Sequence, residues 1–127
     1  MKNIAVIGTG VIGTGWIIRF LFNKKKLKVY DPQLNQKNFL LDEIKRVQPI
    51  LKRFYKGKTN LSKQLVFCDS IQEAVHNADF IQENAPENEK LKIKVISDIS
   101  KYAKFDSIIA SSSSGLLPTK LQSKCIN

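Results

Sequence analysis

A short run near the start of the chain carries residues whose types and spacing suit phosphate binding. Gly8-Thr9-Gly10-Val11-Ile12-Gly13 follows the apolar run Ile4-Ala5-Val6-Ile7 and leads at once into an apolar helical pattern. A strand, a glycine-rich turn and a helix in that order make a phosphate cradle. Gly8 permits the tight turn, Gly10 leaves room for a pyrophosphate against the backbone, and Gly13 lets helix and strand pack closely. The helix start, with Val11 and Ile12, points unpaired N–H groups and a partial positive charge at the phosphates.

A second group sits further on. Asp31 follows the strand-like Leu27-Lys28-Val29-Tyr30, eighteen residues beyond Gly13. A carboxylate at that distance suits the acidic residue that accepts hydrogen bonds from the adenosine ribose hydroxyls. It would repel a 2′-phosphate, so NAD is expected rather than NADP. Asp31-Pro32 could also be a plain turn, but the glycine triplet upstream favours the binding role. Two further stretches fall where strands should end: Glu83-Asn84-Ala85-Pro86-Glu87, and Ser111 to Ser114 with Gly115. Ligands bind at that edge of an open α/β sheet. The serines there would be a bank of hydroxyl groups facing the cofactor, or mere loop filler.

The only histidine, His76, invites a general-base reading. It falls near the end of a short helix, with no nucleophile or acid beside it, and is expected on the surface. Cys68 and Cys125 have no metal-type spacing and are expected as free thiols in a reducing cytoplasm.

The elements that must position these residues follow from periodicity. Strands are expected at Lys2–Ile7, Leu27–Tyr30, Leu65–Phe67, Asp79–Gln82 and Ser107–Ala110. The first, apolar on both faces, suits a parallel sheet covered by helices. A helix over Val11–Phe22 would bury Ile12, Trp16, Ile17, Phe20 and Leu21, and Gly15 inside it suggests a close backbone contact with the strand or the cofactor. A longer helix, Leu34–Tyr55, should be kinked or divided at Pro49, and Lys56–Lys63 reads as a polar connection. Asp69 or Ser70 should cap a short helix that has Glu73 in its first turn. Glu87–Ala103 reads as a helix with Leu91, Val95, Ile96 and Ile99 on its apolar side, and Leu116–Ser123 as a short one with Pro118 in its first turn. The alternation gives one α/β domain over residues 1–127, a Rossmann-type doubly wound parallel sheet with helices on both faces.

The net charge of +10 could mark a nucleic-acid footprint. The lysines are spread along the chain and not interleaved with aromatics, so a lysine-rich surface is the better account and no nucleic-acid partner is expected. No apolar run approaches the roughly 18–20 residues of a membrane span, and the start carries no secretory pattern.

Taken together, these motifs resemble the NAD-binding domain of the L-3-hydroxyacyl-CoA dehydrogenase superfamily. That likeness rests on Gly8–Gly13, Asp31-Pro32, and Ala78-Asp79 leading to Glu83, Glu87 and Lys92, then the serine-rich strand end. A narrower likeness, to the carnitine 3-dehydrogenases, rests on Leu65-Val66-Phe67-Cys68, Gln82–Glu87 and Ser113–Pro118. The resemblance covers essentially the whole chain. It implies that Gly8, Gly10 and Gly13 meet the pyrophosphate and Asp31 the ribose. Glu87 and Lys92 would lie near the nicotinamide ribose and carboxamide, and Ser114 would contact the substrate's reacting oxygen. Ser112 stands where thioester-acting members have asparagine, which weakens a CoA-thioester reading. The family's catalytic histidine, in a His-Pro segment, and its helical dimerisation domain have no match here. The resemblance thus implies an N-terminal part of a longer enzyme, a homodimer when complete. Carnitine is the expected substrate, with a 3-hydroxyacyl-CoA, L-gulonate or a non-catalytic basic nucleotide-binding role as alternatives.

Overall fold

The computed structural model describes residues 1–57 and 60–126. Among them, five strands form one fully parallel sheet. They are β1 (Asn3–Ile7), β2 (Lys26–Tyr30), β3 (Leu65–Phe67), β4 (Phe80–Glu83) and β5 (Ile108–Ser111), in spatial order β3-β2-β1-β4-β5. The order reverses at β1, whose two neighbours are β2 and β4. The helices are α1 (Val11–Phe22), α2 (Gln36–Leu51), α3 (Leu61–Gln64), α4 (Ile71–Val75), α5 (Glu89–Tyr102) and α6 (Pro118–Leu121).

The two-residue period of β1 divides the core. Ile4 and Val6 face α1 and α2, where they pack with Ile17, Leu21, Leu40 and Ile44. Ala5 and Ile7 face the other way, toward Ala74, Val75 and Ile99 of α4 and α5. A strand between two helical layers has no solvated face, so it reads as a continuous apolar run. Each fully buried Ile or Leu contributes about 1.5–3 kcal/mol.

Local rules set several boundaries. Ser70 Oγ accepts the Glu73 N–H at 3.1 Å and caps α4, while Glu73 Oε2 accepts the Asp69 N–H at 2.9 Å. Asn88 Oδ1 accepts the Leu91 N–H at 3.0 Å and caps α5, so that helix starts at Glu89 rather than Glu87. Pro118 opens α6, where its missing N–H costs nothing.

Other expectations need correction. The buried stripe of α1 is Gly13, Thr14, Ile17, Leu21 and Phe22, whereas Ile12 and Trp16 are exposed. At its start the helix packs so closely against the turn after β1 that only glycine fits at position 13. Gly15 lies on the open side, where an added Cβ would meet nothing of the chain, so no strand contact explains it. Pro49 does not divide α2. It sits in the last turn, and the helix ends two residues later. The expected polar connection Lys56–Lys63 includes positions 58 and 59, outside the described residues, and its far end folds into α3.

At the amino edge of the sheet, Asp79 Oδ2 accepts the Lys2 and Asn3 N–H groups, and Oδ1 accepts from Lys104 Nζ at 2.6 Å. The Lys104 hydrogen bond first, then the two backbone N–H groups, hold this carboxyl well below the usual carboxylate range. Cys68 and Cys125 are both free, and burial pushes the Cys68 thiol up. No helix among the described residues is long and apolar enough to cross a membrane.

Candidate functional site

The strand order reverses between β1 and β4, and at such a point the loops diverge and leave a crevice at the carboxyl edge. A cleft of about 730 Å³ occupies it, a volume typical of small-molecule and cofactor sites. Its floor is Gly8, Gly10, Val11 and Ile12; one wall is Tyr30 to Gln33 with Gln36; the other is Asn84 to Glu87 and the α5 face beyond.

The glycine turn is built to stay open. Gly8 has φ +91°, and an added Cβ would lie 2.8 Å from the Asn84 carbonyl oxygen, so both conformation and space require glycine there. Gly13 lies beneath the turn, where a Cβ would come within 1.9 Å of the Gly8 oxygen. At Gly10, in contrast, a Cβ would meet nothing of the chain and would project beside the cleft. Gly10 is also the N-cap of α1. It offers no side-chain cap, and the first turn holds no acidic residue. The N–H groups of that turn and the positive end of the helix are thus left for an anion. Val11 and Ile12, 84% and 60% exposed, present apolar surface beside them. These features fit the pyrophosphate of a dinucleotide.

Asp31, half-buried on the cleft wall, is held from behind. Its Oδ2 accepts the Thr9 N–H at 2.8 Å and the Thr9 hydroxyl at 3.1 Å; its Oδ1 accepts the Gln33 N–H at 2.9 Å. Thr9 is fully buried.

The opposite wall hangs on a buried ion pair. Lys92 Nζ lies 3.0 Å from Glu83 Oε1, with the two side chains 1% and 0% exposed. Glu83 Oε1 also accepts the Ala85 N–H at 2.6 Å, and Oε2 accepts the Ser111 hydroxyl at 2.5 Å. A buried carboxylate is tolerable only with such a full set of partners. Glu83 was expected in the turn after β4; it is instead the last residue of that strand. Lys92 was expected to reach the cofactor. It borders the cleft, but its ammonium is spent at least partly on Glu83.

The serine-rich strand end joins the same wall. The Ser112 hydroxyl donates to Asn84 Oδ1 at 2.5 Å and accepts from Gln82 Nε2 at 2.8 Å, and the Ser113 hydroxyl donates to Glu87 Oε1. Three of the four serines are therefore wired to the β4 end, and only Ser112 lines the cleft. Ser114 is exposed and outside the cleft lining. Glu87 lines the cleft and is exposed to it. His76 follows α4, and Asp79, three residues on, bonds the start of β1. It therefore lies toward the opposite edge of the sheet, where its ring contacts Glu73 and Asn77. It takes no part in the cleft.

Thr9 and Glu83 were missed as working residues. Thr9 is hidden inside the glycine motif as a neutral spacer, although its side chain is the only one in the Gly8-Thr9-Gly10 turn. Glu83 could have been found as a charge that ends an apolar strand.

Residues 3–127 match the family model for the 3-hydroxyacyl-CoA dehydrogenase NAD-binding domain. The chain is 43% identical over 122 residues to L-carnitine dehydrogenase of Oceanobacillus iheyensis, covering 96% of this chain and 40% of that protein. It is 41% identical over 119 residues to L-carnitine dehydrogenase of Burkholderia mallei, covering 94% and 37%. Among solved structures, an NAD+-dependent dismutase, FHMPC 5-dehydrogenase, is similar at TM-score 0.85 and 29% identity, covering 99% of this chain and 41% of that one. The fold is shared with 3-hydroxybutyryl-CoA dehydrogenase of Escherichia coli, at TM-score 0.82 and 21% identity, over 98% of this chain and 27% of that one. The chain thus spans about two fifths of the length of the curated relatives it matches. With the parallel sheet, the open glycine turn and the uncapped helix already in place, the family match completes the case: the chain belongs to the NAD-binding domain family of the 3-hydroxyacyl-CoA dehydrogenases.

Proposed function

We propose that this domain holds NAD in the β1/β4 crevice for an enzyme that oxidises the 3-hydroxyl of a small 3-hydroxy acid, with L-carnitine as the substrate. The observation that carries the NAD site is Gly10: a position open to the cleft, at the start of a helix whose first-turn donors have no side-chain cap. The substrate assignment draws on relatives 37–43% identical over nearly the whole chain and named L-carnitine dehydrogenase.

The residue roles are those that the family resemblance implies. The Gly8–Gly13 turn, with Val11 and Ile12 at its helix, binds the pyrophosphate. Asp31 accepts the adenosine ribose hydroxyls. Glu87 and Lys92 border the nicotinamide end, and Ser114 orients the substrate hydroxyl. Bound NAD supplies acceptance of the hydride from the carbinol carbon. The chain's own share is to fix two reactants in one geometry, which is a proximity effect. His76 cannot take the hydroxyl proton from the far edge of the sheet, so a histidine outside these residues is the base. The complete protein is a cytoplasmic homodimer in this reading.

The deciding experiment assays the full reading frame with NAD and, separately, L-carnitine, L-gulonate and 3-hydroxybutyryl-CoA. NADH formation with carnitine is expected. Activity with the thioester and none with carnitine would move the substrate class. The 127-residue chain alone is expected to bind NAD weakly and to turn nothing over. Asp31→Ala should weaken NAD binding by roughly 10- to 100-fold, since a hydrogen bond to a charged group is worth about 1.5–3 kcal/mol. Calorimetric titration reads this directly, and an unchanged affinity removes Asp31 from the site.

A further inference from the structure

We infer that Thr9 is a specificity-determining residue: by clamping one oxygen of Asp31 it fixes the carboxylate that separates NAD from NADP. This rests on Asp31 being the ribose acceptor.

The Thr9 side chain is fully buried and lies behind Asp31, out of the cleft. Both of its donors go to the same atom. The amide reaches Asp31 Oδ2 at 2.8 Å and the hydroxyl reaches it at 3.1 Å. The hydroxyl is also 3.5 Å from Gln36 Oε1. One O–H serves one acceptor well, and the shorter, charge-assisted contact is with Asp31. Thr9 is itself anchored, because its carbonyl accepts from the Thr14 hydroxyl at 2.9 Å inside α1.

The consequence is geometric. A carboxylate offers about four acceptor directions. Thr9 fills those on Oδ2, and the Gln33 N–H takes one on Oδ1. The remaining capacity is on Oδ1, and Asp31 lines the cleft. Carboxylate torsions about χ2 are otherwise broad, so a free aspartate could turn its charge aside. Clamped, it keeps that charge where a 2′-phosphate would have to sit. The amide half of the clamp belongs to the backbone and survives any substitution. The hydroxyl half belongs to the Thr9 side chain alone.

The test measures dissociation constants for NAD and NADP separately, without substrate, in the full-length protein and in Thr9→Val, Thr9→Ser, Thr9→Ala and Asp31→Ala. Thr9→Val keeps the shape and loses the hydroxyl, and should narrow the NADP-to-NAD ratio about tenfold, through weaker NAD and stronger NADP binding. Thr9→Ser keeps the hydroxyl and should retain the ratio. If Thr9→Val does not fold, the contrast between Thr9→Ser and Thr9→Ala carries the same test. A ratio unchanged in Thr9→Val, or in Thr9→Ala, while Asp31→Ala collapses it overturns the role of Thr9. A ratio unchanged even in Asp31→Ala overturns the reading of Asp31 on which it stands. A uniform loss of both cofactors in Thr9→Val, with the ratio kept, marks Thr9 as merely structural and also overturns the inference.

Discussion

Gly13→Ala is expected to destabilise the fold by about 3 kcal/mol or more, the upper range for forcing an extra carbon into a packed site. The added Cβ would stand 1.9 Å from the Gly8 oxygen and 2.9 Å from the Gly8 carbonyl carbon. Both obstacles are backbone, and no rotamer change relieves them. α1 would have to lift from β1, and Ile17 and Leu21 of its buried face would lift with it. In a urea titration the midpoint should fall by roughly 1–3 M, given slopes of about 1–3 kcal/mol/M for small proteins. Gly10→Ala is the control with the opposite profile. Its Cβ meets nothing, and its φ of −65° suits alanine, so stability should change by about 0.5 kcal/mol or less. On the proposed placement of the pyrophosphate, its methyl group would nevertheless occupy the space that group needs, so NAD binding should be lost. Equal stability losses in the two variants would remove the distinction between a glycine that packs and a glycine that makes room.

The second large effect is expected at the buried ion pair. Lys92→Met leaves Glu83 fully buried with two hydrogen bonds and no countercharge. Breaking such a pair from one side costs about 3–5 kcal/mol. Glu83→Gln combined with Lys92→Met removes both charges and should recover most of that loss, so the two changes should be strongly non-additive. Thermal or urea unfolding of the two singles and the double forms the cycle. A double variant as unstable as the sum of the singles would show that the pair is not a unit. The local consequence should be visible too. Glu83 holds the Ala85 amide and the Ser111 hydroxyl, so its loss should loosen both the Ala85–Glu87 wall and the serine-rich strand end. Backbone amide exchange at Ala85 would report it.

The parts of this molecule that were legible in advance are those with a local physical signature. β1 was readable because an apolar run with no alternation has to be buried on both faces. The α4 boundary was readable because Ser70 and Glu73 have cap spacing. The cleft was readable because glycines at that spacing after a strand have few other uses. What was not legible depended on partners distant in sequence. Ile12 and Trp16 looked like core because they are large and apolar, yet the closeness of α1 to β1 favours Gly13 and Thr14 instead. Glu83 looked like loop because carboxylates are rarely buried, and nothing local announces a lysine nine positions on that will neutralise it. Gly15 looked like a contact point and is open. The site shows the same division. Gly8, Gly10 and Asp31 stand together around the cleft as spacing suggested, whereas Ser114 lies outside its lining and the wiring of its neighbours to Glu83, Asn84 and Glu87 was invisible.

The contact that forces glycine at position 8 comes from Asn84, 76 residues further along the chain. β1 likewise pairs with β4 across the same separation. Within this chain the glycine turn is therefore synthesised well before the residue that closes over it. At about 5–20 residues per second, several seconds pass between synthesis of the glycines and synthesis of the residues that bend over them. Until β4 is in place, the apolar β1 segment lacks its partner on that edge, and unpaired strand edges are open to wrong pairing. Closing so long a loop is slow and is rewarded only once β4 has docked. The shape of the glycine turn thus depends on a contact that exists only once the two ends of a long excursion have met.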